Sequence, residues 1–129
     1  MSLKKLAVVF YHRDWVDSAW QYEFPGQQLS ELLGRMRIEF AALGIELCSS
    51  DEDFPIQIRG YGDLLNSIRL RFPSANLGNL CLGHVIGSSR NCDLIEDLRR
   101  GINRVAFAPE TVEPDGSDKV VCHNCGCGC

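Results

Sequence analysis

The residues best suited to chemistry are the last eight of the sequence, Cys122-His123-Asn124-Cys125-Gly126-Cys127-Gly128-Cys129. Cys122 and Cys125 have the Cys-x-x-Cys spacing at which a tight turn points two sulfurs at one ion. Cys125, Cys127 and Cys129 alternate with glycine, so in an extended segment their sulfurs would lie on one side. Four thiolates suffice for a tetrahedral metal site, to which His123 would add an imidazole. We therefore predict that these five side chains form a metal site.

The spacing of these ligands favours a soft metal over the usual kind of structural zinc site. Structural zinc sites usually take their ligands as two pairs that lie far apart in the sequence. Here all four thiols fall within eight residues. Gly126 and Gly128 permit backbone angles that are closed to other residues, which would let the segment wrap around a small ion. We expect Zn(II), Cu(I), As(III) or an iron–sulfur cluster or its precursor as the bound species.

The same thiols allow functions other than metal binding. As a redox pair, Cys122 and Cys125 would cycle between dithiol and disulfide, or one would carry a persulfide, in a thiol redox or sulfur-carrier protein. Alternatively, the chain is a regulatory domain that binds a nucleotide or another anion and uses the cysteine tail as a redox switch. Two further alternatives are a knuckle-like zinc site that only fixes the C-terminus and a disordered tail whose cysteines have little chemical role. No pattern of residues indicates a catalytic site, which favours a protein that is not an enzyme.

The eight-residue tail is similar in character to the cysteine-paired C-termini of arsenic metallochaperones. The resemblance covers the tail alone, because the predicted first strand is followed by His12-Arg13-Asp14 and not by a cysteine pair. It therefore carries no function over to this chain and assigns no family to its body.

Length and composition indicate one globular domain. The chain has 129 residues, of which 45% are hydrophobic and 23% charged, as is usual for such a domain. Its net charge of -4 gives no electrostatic reason to expect nucleic acid as a partner. No apolar run reaches the roughly 18 residues of a membrane span, and the basic, apolar start is too short for a signal peptide.

The cysteines indicate the compartment and the partners. Seven cysteines are present, four of them within the last eight residues. An odd, clustered set of thiols in a chain with a normal core is typical of a reducing compartment. We expect a cytoplasmic protein whose partner is a metal ion or a sulfur-handling protein, and the sequence leaves homo-oligomer formation open. Cys48 and Cys81 are expected in the core as small apolar residues.

Apolar patterns predict alternating strands and helices. Short apolar runs predict strands over residues 4–11, 45–48, 80–86 and 104–108. Apolar residues at steps of three and four predict helices over residues 27–43, 61–72 and about 92–100. Gly44, Pro73 and Gly101 are expected to end these three helices, in that order. The polar segments 12–24 and 49–60 are expected to be loops. This order predicts a small three-layer α/β domain with a mostly parallel four-stranded sheet, with a ferredoxin-like α+β fold as the alternative.

The sequence divides into three parts by composition. Residues 1–109 hold the alternating pattern and are predicted to form the single α/β domain. Residues 110–121 are acidic and contain Pro114 and Gly116, which predicts a flexible connector. Residues 122–129 form the cysteine-rich tail, which is expected to be flexible.

Polar residues follow two of the predicted strands. In open α/β sheets, ligands bind beyond the carboxyl ends of the strands. His12, Arg13 and Asp14 follow the first strand, and Cys92 lies near the start of the third helix. If the strands predicted over residues 4–11 and 80–86 are neighbours, these four residues line a pocket.

The loop before the third helix is a candidate anion site. Gly87, Ser88 and Ser89 would offer backbone N–H groups at a helix N-terminus, with Arg90 and the helix dipole adding positive potential. The alternative is ordinary capping of this helix by Ser89 or Asn91.

Overall fold

The computed structural model describes residues 4–16, 22–87, 89 and 91–112. The predicted metal and redox residues, Cys122 to Cys129, and the connector from residue 113 onward lie outside these ranges. The described strands are β1 (Lys4–Trp15), β2 (Ile45–Ile58), β3 (Ile68–Phe72) and β4 (Leu77–Cys81). The described α-helices are α1 (Gly26–Ala41), α2 (Tyr61–Asn66), α3 (Leu82–Ile86) and α4 (Leu94–Phe107).

The four strands form one mixed sheet with the order β2-β1-β3-β4. β1 is parallel to β2, whereas β1–β3 and β3–β4 are antiparallel pairs. The prediction of an α/β domain with a four-stranded sheet is confirmed, and the prediction of a mostly parallel sheet is wrong. The physical reason is the length of the connections: α1 crosses over between β1 and β2, but only a short 3-10 turn joins β3 to β4.

β1 lies inside the sheet and is buried on both faces, as its unbroken apolar run predicts. Leu6, Val8 and Val9 are almost completely buried. The strand continues past its expected end at Tyr11 to Trp15, because it keeps pairing with β2 beyond an irregularity in the register. The segment expected to be a loop from residue 12 is therefore strand as far as Trp15.

β2 runs through residues 49–58, where a loop was expected. Asp53 and Phe54 are extra residues on β2, since the register moves from Tyr11–Glu52 to His12–Pro55. β2 is an edge strand, and an edge tolerates a proline and a run of polar side chains because one backbone side needs no partner. The polarity of this segment therefore reflects its edge position and not the absence of a strand.

The segment from residue 61 to 72 forms a short helix followed by a strand, and not the single helix predicted. α2 ends at Asn66, and β3 starts at Ile68. The steps of four from Leu64 to Ile68 to Phe72 suggested a helix, but Ile68, Leu70 and Phe72 also alternate at steps of two. The strand forms because Leu70 pairs with Val8 in the centre of the sheet.

The predicted strand over residues 80–86 is also divided. Only its start belongs to β4, and the remainder is α3. Buried Cys81 is the N-cap of this helix, and its Sγ accepts a hydrogen bond from the backbone N–H of His84 at 3.3 Å. The expectation that Cys81 is a core residue is confirmed.

α4 continues through Gly101 to Phe107, so the predicted stop at Gly101 and the predicted strand over residues 104–108 are wrong. A Cβ atom at Gly101 would clash with Leu82 Cδ1 and would lie 3.3 Å from Leu70 Cδ1. The glycine therefore permits close packing of α4 on α3 and the sheet, and does not end the helix.

The two long helices lie on one face of the sheet. α1 packs on β2, α4 packs on β3, and the two helices contact each other. A three-layer fold needs helices on both faces of the sheet. The prediction is wrong for α1 and α4, because both lie on the same face.

On the opposite face, a chain of hydrogen bonds crosses all four strands. Arg71 of β3 pairs with Glu52 of β2 at 2.8 Å, and its Nε donates to Asn79 Oδ1 of β4 at 3.0 Å. Asn79 Nδ2 donates to the Tyr11 hydroxyl of β1 at 3.1 Å. Because each bond requires specific partners to be opposite, this chain favours one register of the sheet.

Gly101 and Gly34 give a matched test of how closely α4 packs. Gly101→Ala is expected to lower the free energy of unfolding by about 1 kcal/mol, because crowding against Leu82 outweighs the gain in helix propensity. In Gly34→Ala on α1, the added methyl group meets no atom within 4 Å, so stability should rise by about 0.5–1 kcal/mol. Urea denaturation measures both changes. Equal effects of the two substitutions would contradict close packing at Gly101.

Candidate functional site

His12, Arg13 and Asp14 lie on the extension of β1, opposite Pro55, Ile56 and Gln57 of β2. The side chains of His12 and Asp14 are exposed, whereas Arg13 is half-buried. His12 borders a cavity of about 440 Å³ whose lining includes Trp15 and the acidic run of β2, Asp51, Glu52 and Asp53. Of the three predicted residues, Arg13 is thus the one that turns into the body of the domain.

Arg13 stacks on an aromatic ring and lies in the field of a carboxylate. Its guanidinium carbon lies 3.7 Å from the centroid of the Phe24 ring, which is a cation–π contact. Burial lowers the pKa of Arg13, and the negative charge of Asp51 acts in the opposite direction. The guanidinium is therefore a partly desolvated cation at the carboxyl end of β1.

A groove runs between α1 and β2 beside Arg13. It encloses about 410 Å³, and Arg13 and Arg37 contribute two positive charges to its lining. Apolar side chains from β1, the segment before α1, and α1 itself line the remainder, namely Phe10, Phe24, Leu29 and Leu33. The sequence points to Arg13 but not to the groove, since Arg37 is an exposed residue of α1 that belongs to no motif.

The segment before α1 connects this groove with the loop that contains Cys92. Tyr22, two residues before Phe24, donates a hydrogen bond from its hydroxyl to the Cys92 carbonyl at 2.9 Å. The same hydroxyl accepts a bond from the backbone N–H of Leu94 at 3.3 Å. Arg13 and Cys92 were predicted to line one pocket. The structure places them against neighbouring residues of one segment, Arg13 on Phe24 and Cys92 on Tyr22.

Cys92 occupies a turn that leads into α4. Its φ of 51° is left-handed, and its backbone N–H donates to Ser89 Oγ at 3.1 Å. The N-cap of α4 is Asp93, whose side chain accepts from the backbone N–H of Glu96 at 3.3 Å. The prediction that Ser89 or Asn91 caps the helix is therefore wrong.

The predicted anion loop ends at a helix whose first turn is acidic. Gly87, with a φ of 81°, is the C-cap of α3, while Ser88 and Arg90 lie outside the described residues. Asp93 already caps the N-terminus of α4, and Glu96 and Asp97 lie in its first turn. These carboxylates satisfy the helix dipole and repel a further anion. Anion binding at Gly87–Arg90 stays a prediction.

Tyr61 and Asp97 form a buried pair that sequence analysis missed. The Tyr61 hydroxyl donates to Asp97 Oδ2 at 2.5 Å, and Arg100 pairs with the other carboxylate oxygen at 3.2 Å. Tyr61 also lies 5.5 Å from the Tyr22 ring. Desolvation, followed by the bond to Asp97, raises the pKa of Tyr61 far above its usual value. The available signal was an acid on the apolar stripe of α4, three residues from Leu94 and one from Leu98.

The described cysteines occupy three separate places in the domain. Cys48 on β2 contacts the Leu6 carbonyl through its sulfur at 3.7 Å, Cys81 caps α3, and Cys92 lies in the turn before α4. Across residues 4–16, 22–87, 89 and 91–112, no group of three or more His, Cys, Asp or Glu side chains is arranged to hold a metal ion. The predicted ligands Cys122, His123, Cys125, Cys127 and Cys129 lie outside those residues.

Comparison of the chain with protein-family models, with curated proteins and with solved structures finds no match. None of the helices in the described part of the chain is long and apolar enough to cross a membrane. The chemistry of its own residues is therefore the basis for a functional interpretation.

The buried phenol of Tyr61 gives an expected pH dependence. Below about pH 10 a tyrosine is protonated in both folded and unfolded chains, so its contribution to stability is constant. Above that pH the unfolded chain loses this proton while the folded chain keeps it, and stability should fall by up to about 1.4 kcal/mol per pH unit. Tyr61→Phe removes the group, so urea denaturation between pH 7 and about pH 11 should show a shallower fall in the variant.

The same variant has an expected effect at neutral pH. Tyr61→Phe leaves buried Asp97 without one of its donors, which should lower the free energy of unfolding by about 1–3 kcal/mol. Stability curves that run parallel in the wild type and the variant above pH 10 would contradict the protonated, buried state of Tyr61.

Proposed function

We propose that this chain is an accessory or sensor protein that binds a soft metal ion through the thiolates of Cys122, Cys125, Cys127 and Cys129. The observation that carries the proposal is the density of donors, four cysteines and His123 within eight residues of the sequence. This donor set fits Cu(I) and Zn(II), because both accept thiolate ligands and Zn(II) also accepts imidazole. An iron–sulfur cluster precursor is a further cargo of the same chemistry.

The placement of the other cysteines supports different roles for the α/β body and the cysteine-rich tail. Cys48, Cys81 and Cys92 are distributed over an edge strand, a helix cap and a turn. The sulfurs of Cys48 and Cys81 contact backbone atoms, and the backbone of Cys92 is hydrogen-bonded to the side chains of Tyr22 and Ser89. The clustered thiols all belong to residues 122–129. In the proposal, the α/β body recognises a sulfur-handling partner, and the tail exchanges the metal ion with it in a reducing compartment such as the cytoplasm.

Metal uptake by the reduced protein is the direct test. Titration of anaerobic protein with Cu(I) or Zn(II) against a competing chelator should show one tightly bound ion per chain. The double variant Cys125→Ser/Cys127→Ser should lose that binding, because two of the four thiolates are removed. The matched control is Cys48→Ser/Cys92→Ser, which changes the same number of thiols in the body and should leave uptake unchanged. Full uptake by the tail variant would exclude the proposed site.

The pH dependence of uptake follows from proton competition. A metal-bound cysteine is a thiolate, and an ordinary thiol has a pKa of about 8.5, so each ligand that binds near neutral pH releases a proton. Affinity is therefore expected to fall as the pH is lowered from about 8 to 6. Measurement of the apparent affinity across this range, with a chelator whose own protonation is known, checks the expectation.

The Cys-x-x-Cys spacing of Cys122 and Cys125 favours one second candidate, a thiol redox or sulfur-carrier protein. Here the two sulfurs form a reversible disulfide, or one carries a persulfide. Mass spectrometry after mild oxidation distinguishes the two functions. Loss of two hydrogen atoms confined to the tail, in a protein that retains no metal under native conditions, supports the redox candidate over metal binding.

A further inference from the structure

The groove between α1 and β2 combines an apolar surface with two cations. Its volume of about 410 Å³ lies within the range of small-molecule sites. Phe24, Leu29 and Leu33 provide apolar lining, while Ser30, Ser49 and Ser50 add hydroxyl groups. A cleft with apolar walls and a few polar groups is the usual form of a small-ligand site.

The charge of the groove is opposite to that of the chain. Among the described lining residues, Arg13 and Arg37 outweigh the carboxylate of Asp51, although the chain carries a net charge of -4. Among the described residues, neither arginine has an ion-pair partner within 4.0 Å. Arg37 donates from Nε to the Leu47 carbonyl at 3.3 Å, which leaves its two terminal amino groups available to a ligand.

The wall formed by α1 leaves space for that ligand. Gly34 lines the groove, and a Cβ atom built on it would have no neighbour within 4 Å. The neighbouring turns of the helix contribute Leu33 and Arg37 to the same lining. An apolar group and a charged group of one molecule can therefore contact the same helix, on either side of the open position at Gly34.

We propose that this groove binds an amphipathic organic anion, with a carboxylate or phosphate head at the terminal amino groups of Arg37 and an apolar body against Leu33, Leu29 and Phe24. Guanidinium groups suit such heads because they donate two parallel hydrogen bonds to the oxygens. Arg13, which lies on the Phe24 ring at the start of α1, adds a second positive charge to the lining and so raises the positive potential of the groove. This site is independent of the thiolates in residues 122–129.

Titration of the full chain with octanoate and, separately, octyl phosphate tests the site, with binding followed by backbone amide NMR. At least one of the two should shift the signals of Gly34 and Ser49, and 1-octanol, which has the same body without the charge, should bind at least about five-fold more weakly. The ligand that binds more tightly, octanoate or octyl phosphate, shows whether the site prefers a carboxylate or a phosphate head. Binding of octanol as tight as that of both anions, or no shift with either anion, would overturn the proposal.

Two variants on α1 separate charge from shape. Arg37→Gln is expected to weaken binding by at least about five-fold, whereas Arg35→Gln should change it by less than about two-fold. Arg35 is exposed on the same helix and does not line the groove. Gly34→Leu should abolish binding by filling the groove and leave the fold intact, since the position is open. Equal affinity of Arg37→Gln and Arg35→Gln, or full binding by Gly34→Leu, would overturn the site.

Discussion

The double burial of β1 is the constraint on which the rest of the domain depends. Val8 and Val9 are adjacent in the chain, so their side chains point to opposite faces of the sheet, yet both are almost completely buried. Both faces of the strand must therefore be covered and both of its backbone edges paired. β2 pairs with one edge through the crossover of α1, and β3 pairs with the other. Extension of the β1–β2 pairing past Tyr11 then places Arg13 at the groove beside α1.

The two faces of the sheet are stabilised by different interactions. The face that carries α1 and α4 is apolar, and its packing is close enough that Gly101 has no room for a side chain. The other face holds the hydrogen-bonded chain from Glu52 through Arg71 and Asn79 to Tyr11. Apolar packing is close but has no direction, whereas each bond of this polar chain needs a specific partner opposite, so the two faces together favour a single arrangement of strands.

A residue pattern with one interpretation predicts its element correctly, whereas a pattern with two interpretations does not. The unbroken apolar run of β1 and the stripe of α1 predicted their elements correctly. In β3, spacings of four and two coexist, and only the tertiary pairing of Leu70 with Val8 decides between them. Gly101 is either a helix stop or a contact position, and the choice depends on Leu82, which is distant in sequence. Asp97 was overlooked because its partner Tyr61 lies 36 residues away.

The N-termini of α1 and α4 differ in how well they could attract an anion, because carboxylates lie at one and not at the other. α4 begins with the cap Asp93 and carries Glu96 and Asp97 in its first turn, so its positive end is already neutralised. α1 begins at Gly26 with no side-chain cap and no acid in its first turn, and Gly26 lines the groove that holds Arg13 and Arg37. The helix field thus adds to the positive charge of Arg13, which lies on Phe24 beside the start of α1, whereas the field of α4 is cancelled by its own carboxylates. An anion bound to the body accepts hydrogen bonds from guanidinium groups, whereas a metal ion in the proposed tail site is bound by thiolates. The two ligands therefore use different residues and do not compete.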